Sequence, residues 1–148
     1  MNIKVINGPN LNMLGVREPA TYGSRTMENI NEELKKFAKD NNVEISFFQS
    51  NCEGAIIDEI QKSYSENITG IIINAGAYTH TSYAIRDAIS SVQIATVEVH
   101  ISNVHAREEF RHKSVIAPVC IGQICGFGEY SYKLAISALI SREEFFGL

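Results

Sequence analysis

The segment "GIIIN" at 70–74 is apolar at nearly every position. A strand sends alternate side chains to opposite faces, so a run of this kind needs cover on both. It has company. "IKVIN" (3–7), "VEISFF" (43–48), "IATVEV" (94–99) and "VCIGQICG" (119–126) are further strand-like stretches, the last weakened by Gly122. Helical stripes separate them. Thr26 can cap a helix reaching about residue 41, with Ile30, Leu34, Phe37 and Ala38 on one face. A second helix starts near Glu53 and carries Ile56, Ile57, Ile60 and Tyr64. A third spans about 81–91 with Ile85, Ala88 and Ile89 inward. A fourth spans about 130–144 with Tyr132, Ala135, Ile136, Leu139 and Ile140 inward.

Five strands alternating with helices predict an α/β fold: a doubly wound, five-stranded parallel sheet with helices on both faces. The common strand order for five is 2-1-3-4-5, and ligands then bind at the carboxyl ends near the switch between strands one and three. With 148 residues and no repeat or linker, the whole of 1–148 reads as a single domain.

Net charge is −4, and the basic residues near 110 alternate with acids. That pattern suits a local anion site and gives no track for nucleic acid. No apolar stretch approaches the ~20 residues of a membrane span. "MNIKVINGPN" lacks the basic-then-apolar layout of a signal peptide. Three cysteines without a CxxC pair argue for reduced thiols and against a cysteine-rich zinc site. A cytoplasmic protein is expected.

The polar residues of interest gather in three loops. "NGPNLNMLGVREPATYG" (7–23) follows strand one, "NAGAYTHTSYAIRDA" (74–88) follows strand three, and "EVHISNVHAREEFR" (98–111) follows strand four. In the expected order these loops leave the same end of neighbouring strands. Arg17, Tyr22, Asn74, His80, His100, Arg107 and Arg111 can therefore converge on one cleft. The first loop exceeds the ~2–6 residues usual for such connections and has the makings of a lid hinged at Gly15 and Gly23. Alone, its Pro9, Asn10 and Asn12 read as turn residues.

Within those loops, several pairings carry chemistry. Only about one tyrosine in a thousand is ionised at pH 7, and a nearby guanidinium favours the phenolate. Tyr22 with Arg17 is thus a candidate general base, although a packed tyrosine beside an exposed arginine is the plainer reading of that pair alone. Glu98 and His100 lie two apart at a strand end, on one face. A carboxylate there can fix the imidazole tautomer and stabilise its charged form, or the two can merely satisfy each other in the interior. Ser102 and the backbone N–H groups of Ile101 and Ser102 can cradle an anion. Arg107 and Arg111 share a face if their segment is helical. Glu108 then falls outside the pair as a surface partner, and His105 and His112 read as solvated surface or packing residues.

The three loops, with the continuation "HKSVIAPVCIGQICGFG" and the short "FQSNCEG" after strand two, resemble the type II 3-dehydroquinate dehydratases. The likeness covers essentially the whole chain. It implies a flavodoxin-like fold and an anti elimination of water from 3-dehydroquinate through an enolate, with no metal, cofactor or lysine Schiff base. Tyr22 would be the base, with Arg17 favouring its phenolate and Arg107 adding positive potential. Asn10 would help hold a water at the enolate oxygen. His100, oriented by Glu98, would protonate the departing hydroxyl, and Asn74 would bind near it. Ile101 and Ser102 would hold the substrate carboxylate. His80 and Arg111 would bind ring hydroxyls. Asp87 would reach a neighbouring subunit's site, since the family's members assemble as dodecamers built from trimers. Cys52 and Ala75 stand where the family often has histidine and proline, and neither carries chemistry in that scheme; Tyr83 stands where a smaller apolar residue is expected, a change that bears on subunit packing or on the edge of the site.

Two rival functions have some residues in their favour. A metal-dependent hydrolase would use Glu98, His100 and His105, though two histidines five apart match no familiar ligand spacing. A non-enzymatic flavodoxin-like binding module would need hydroxyls in the first loop for a flavin phosphate, and "GPNLNMLG" has few. A phospho-acceptor would need an aspartate ending strand three, where Asn74 stands.

Overall fold

The computed structural model describes residues 1–16, 20 and 24–146. Five strands, β1 (Asn2–Asn7), β2 (Glu44–Gln49), β3 (Gly70–Asn74), β4 (Ala95–His100) and β5 (Gly122–Cys125), form one sheet. All neighbours are parallel and their order is β2-β1-β3-β4-β5, as expected. Among the described residues, four long helices pack on it: α1 (Met27–Asp40), α2 (Glu53–Ser65), α3 (Tyr83–Val92) and α4 (Tyr130–Phe146).

The helix ends follow from local chemistry. Thr26 and Asn29 make a reciprocal capping box at the start of α1. The Ser82 side chain accepts the Ile85 N–H at the start of α3, so that helix begins two residues later than its apolar stripe suggested. Gln93 ends α3 in the left-handed region at φ 54°.

Alternation along β3 divides the interior. Ile72 joins Ile30 and Leu34 of α1 and Tyr132 and Ile136 of α4 on one face. Ile71 and Ile73 join Ile56 and Ile60 of α2 and Ile85 and Ile89 of α3 on the other. The sheet is thus sandwiched, which is what an apolar run at 70–74 requires. Lys4 is buried within β1 and is neutralised by Glu59 at 2.6 Å and by Glu66, so α2 is also tied to the sheet by charge.

Three expectations are corrected. Tyr64 does not join the inward stripe of α2: it is 74% exposed, and Ser63 is buried in its place. Ser63 can face inward because its hydroxyl donates to the Glu59 carbonyl at 2.9 Å. The fifth strand is four residues long, not eight, because Ala117–Val119 forms a 3-10 turn with proline near its start. The connection from β4 to β5 contains no α-helix. It is built from 3-10 turns at Val104–Ala106, Glu109–Arg111 and Ala117–Val119. Val115 and Ile116 from this connection fill the place that a helix would otherwise cover. Arg107 and Arg111 therefore share no helical face, and Arg107 sits between two turns in extended backbone.

Candidate active site

At the carboxyl ends of β1, β3 and β4 lies a cleft of about 540 Å³, its open mouth included. This is the switch point of the sheet. Asn10 lines it from the first loop, Asn74 and His80 from the loop after β3, and His100, Ile101 and Ser102 from the end of β4. Arg107 and Arg111 line it from the crossover that follows. Eight of the twelve residues singled out in the sequence thus meet in one place. Glu98 lies directly behind them. Arg17 and Tyr22 fall outside the described residues. Asp87 is exposed on α3 and does not line this cleft.

Backbone approach makes the floor possible. The Gly8 N–H donates to the Asn74 carbonyl at 2.7 Å, drawing the ends of β1 and β3 together. A Cβ on Gly8 would stand 2.6 Å from the Ala75 carbonyl oxygen, so only glycine fits there. Asn10 then takes left-handed backbone at φ 69°, and its N–H is held by the Asn51 side chain at 3.0 Å.

Asn74 is buried and fixed from both ends. Its amide donates to the Tyr132 hydroxyl at 3.0 Å, and its oxygen accepts the Gly76 N–H at 3.3 Å. Tyr132 in turn donates to Asn7 at 2.6 Å. Burial pushes the Tyr132 hydroxyl far above the ordinary phenol range, so it serves as a neutral strut.

His100 is buried at the end of β4, and its Nε2 lies 3.2 Å from Glu98 Oε2. The contact is close enough for ion pairing but is not aligned as a hydrogen bond. Glu98 is fully buried. Ser114 donates to its Oε1 and Gln123 to its Oε2. Burial alone would raise the Glu98 pKa; His100, Ser114 and Gln123 outweigh it and bring the net value below that of an ordinary carboxyl. An ionised glutamate in the interior therefore backs the imidazole.

The rings of His80 and His100 stack with centroids 6.3 Å apart. His80 Nδ1 donates to the Lys113 carbonyl at 2.8 Å, which leaves Nε2 as an acceptor when the ring is neutral. Burial lowers the His80 pKa, and the charges of His100 and Arg111 push the same way.

The mouth is cationic. Arg111 Nε bonds Glu108 Oε2 at 2.6 Å and its guanidinium lies over the Phe110 ring at 4.6 Å. Arg107 donates to the Ser102 hydroxyl at 3.4 Å and approaches Glu108 to 4.0 Å. One carboxylate thus sits between two guanidiniums, which holds its pKa low, Arg111 contributing most. The Ser102 hydroxyl and the Arg107 guanidinium thus meet at the cleft wall.

Sequence reading missed Ser114 and Gln123 as partners of Glu98, and Tyr132 and Asn7 as partners of Asn74. The sequence signals the need for such partners but not which residues meet it. A glutamate inside a covered strand must find donors, and Gln123 is the polar residue facing it across the ladder. A buried tyrosine normally finds a bond for its hydroxyl. As for the rivals, no three His, Cys, Asp or Glu side chains among the described residues gather as a metal ion would need. His105 and His112 are exposed, as expected, and outside the cleft.

Residues 1–140 match the family model described as dehydroquinase class II. The 3-dehydroquinate dehydratase of Clostridium beijerinckii is 66% identical over 139 residues, which is 94% of this chain and 95% of that protein. The crystal structure of type II dehydroquinase from Butyrivibrio crossotus superposes with a TM-score of 0.94 at 56% identity, covering 95% of this chain and 98% of that one. The type II dehydroquinase from Propionibacterium acnes superposes with a TM-score of 0.91 at 36% identity, covering 95% and 96%. A β2-β1-β3-β4-β5 sheet, a switch-point cleft with a carboxylate-backed histidine, and a match across nearly the whole length agree, and the chain belongs to the class II dehydroquinase family.

Proposed function

We propose that the chain is a type II 3-dehydroquinate dehydratase, a hydro-lyase of the shikimate pathway that converts 3-dehydroquinate to 3-dehydroshikimate. The observation that carries this reading is the His100–Glu98 pair facing a cleft with a cationic mouth, in a chain of this family.

Anti elimination from a β-hydroxy ketone needs a base and an acid on opposite faces of the ring, because hydroxide leaves poorly without a proton. His100 is the acid. Glu98 faces its Nε2, so Nδ1 is the nitrogen left to give a proton to the departing hydroxyl. Tyr22 is the base that takes the proton beside the ketone, with Arg17 favouring its phenolate and Arg107 adding positive potential. Asn10 helps hold a water at the enolate oxygen, where developing charge must be met. Ile101 and Ser102 hold the substrate carboxylate. His80 and Arg111 take the ring hydroxyls, and Asn74 binds near the leaving group. Asp87, exposed on its helix, serves the site of a neighbouring subunit in a homododecamer of trimers. The scheme calls for no metal or cofactor. Its setting is the cytoplasm, and no described helix is long and apolar enough to cross a membrane.

The test is to add 3-dehydroquinate and follow the ultraviolet absorbance of the conjugated enone. Absorbance should rise with or without prior chelation, and borohydride should trap no adduct. No rise at all refutes the activity; a rise abolished by chelator would favour a metal-dependent route.

A further inference from the structure

Glu98 can orient His100 only if the carboxylate itself is held, because a buried carboxylate with free oxygens would turn or take up a proton. Two side chains among the described residues hold it. From the crossover, Ser114 donates to Oε1. The Ser114 hydroxyl also accepts the Ala117 N–H at 2.9 Å, which directs its own proton toward Glu98. From the edge strand, Gln123 donates to Oε2, the same oxygen that faces His100 Nε2. Gln123 is placed for this by the ladder: it is the partner of Glu98 in the β4–β5 register, while Cys125 is the partner of His100.

We propose that Gln123, with Ser114, is a positioning residue for proton donation: it occupies Glu98 Oε2 from the edge strand and so fixes the carboxylate edge that His100 meets. This rests on the dehydratase reading of the site. Neither residue lines the cleft, so neither touches substrate directly. Side chains on all sides permit the role. His80 stacks on His100 from the loop after β3, and Arg111 reaches the pair's surroundings from the crossover. Burial pushes the Cys120 thiol up to about 12 and the Cys125 thiol up to about 11, with Glu98 adding to both. These thiols stay neutral and do not compete with Glu98 for the imidazole. Gln123 is an exposed residue of β5, so its replacement by an apolar side chain of equal length leaves the core intact.

The test is Gln123→Met, compared with wild type in kcat, KM, the pH profile of kcat and the imidazole ¹⁵N signals of His100. We expect kcat to fall roughly tenfold, the size of one lost charge-assisted hydrogen bond. KM should stay within about twofold, because substrate contacts are untouched. The acidic limb of the profile should move to higher pH, because Glu98 loses a donor that favours its ionised form. Ser114→Ala should do the same from the other oxygen, and Ser114→Thr, which keeps the hydroxyl, should restore the wild-type profile. Wild-type kcat and an unmoved pH limb in Gln123→Met overturn the proposal; so does a raised KM at constant kcat, which would make Gln123 a binding residue. If wild type itself fails to turn over 3-dehydroquinate, the dehydratase reading falls. The His100 signals then decide alone, and an unchanged tautomer in Gln123→Met overturns the positioning role.

Discussion

His100 Nε2 and Glu98 Oε2 stand 3.2 Å apart at the end of β4, Glu98 fully buried and His100 at the cleft floor. The pair is two residues apart in sequence, so the pleat alone puts both side chains on one face. Glu98→Gln keeps the shape and removes the charge that stabilises the imidazolium. We expect kcat to fall about 10²–10³-fold with little change in KM. Stability should change as well. The Glu98 carboxyl is held below its ordinary 4.5, so its ionised form stabilises the fold. That contribution is complete above pH 4.5 and is lost as pH falls through the lower folded value. A plot of Tm against pH should therefore lose part of its acid slope in Glu98→Gln. An unchanged slope would mean that the carboxyl is not depressed.

His80 is expected to be neutral and to accept from a ring hydroxyl through Nε2, because Nδ1 is committed to the Lys113 carbonyl. Burial, His100 and Arg111 place its pKa below the ordinary 6.5. Its charged form is therefore disfavoured in the fold, and stability is withdrawn as pH drops below 6.5 toward the folded value. By NMR, His80 should titrate below the free side chain. His80→Ala should raise KM more than it lowers kcat. The reverse pattern would assign His80 to chemistry and not to binding.

The sheet order was legible because apolar runs and stripes alternate through the first four strands, and doubly wound sheets of five strands have few arrangements. The crossover after β4 was less legible. Its buried apolar residues, Ile101, Val104, Val115 and Ile116, are too sparse to signal a helix or a strand, and the chain there is shaped by turns. Arg107 and Arg111 reached the cleft as expected, but through two separate turns. Loop residues that face the cleft were readable since strand order alone decides which loops meet. The holders of Glu98 were not, since Gln123 becomes its neighbour only through the β4–β5 register. Tyr64 misled because its spacing fits the inward stripe, while Ser63 could go inward by bonding its own helix.

Tyr22 lies outside the described residues, and its assignment as base rests on family resemblance. Tyr22→Phe removes one oxygen and should leave binding of a substrate analogue within about twofold while kcat drops at least ~10²-fold. Near-normal turnover in this variant would hand the base role to another residue. Because Arg17 is proposed to favour the phenolate, Arg17→Met should move the acidic limb of the pH profile to higher pH, as a phenol without a cationic neighbour is harder to ionise.

Beneath the cleft, the Tyr132 hydroxyl bridges Asn7 and Asn74 in an environment without water access, donating to the first and accepting from the second. Tyr132→Phe keeps the ring, and with it the packing against α1 and the sheet. What it loses is a donor for Asn7 Oδ1 and an acceptor for the Asn74 amide. Leaving buried polar groups unpaired costs about 1–3 kcal/mol each, so chemical denaturation should report a loss of that order. The same change frees one end of Asn74, whose other end is held among the described residues by the Gly76 N–H at 3.3 Å. If Asn74 steers the leaving hydroxyl, loosening it should lower kcat by roughly tenfold while KM barely moves. A variant that loses stability but retains kcat would reduce the Asn7–Tyr132–Asn74 chain to a structural strut. One that loses kcat in step with Asn74→Ala would tie the core of the sheet to the departure of water.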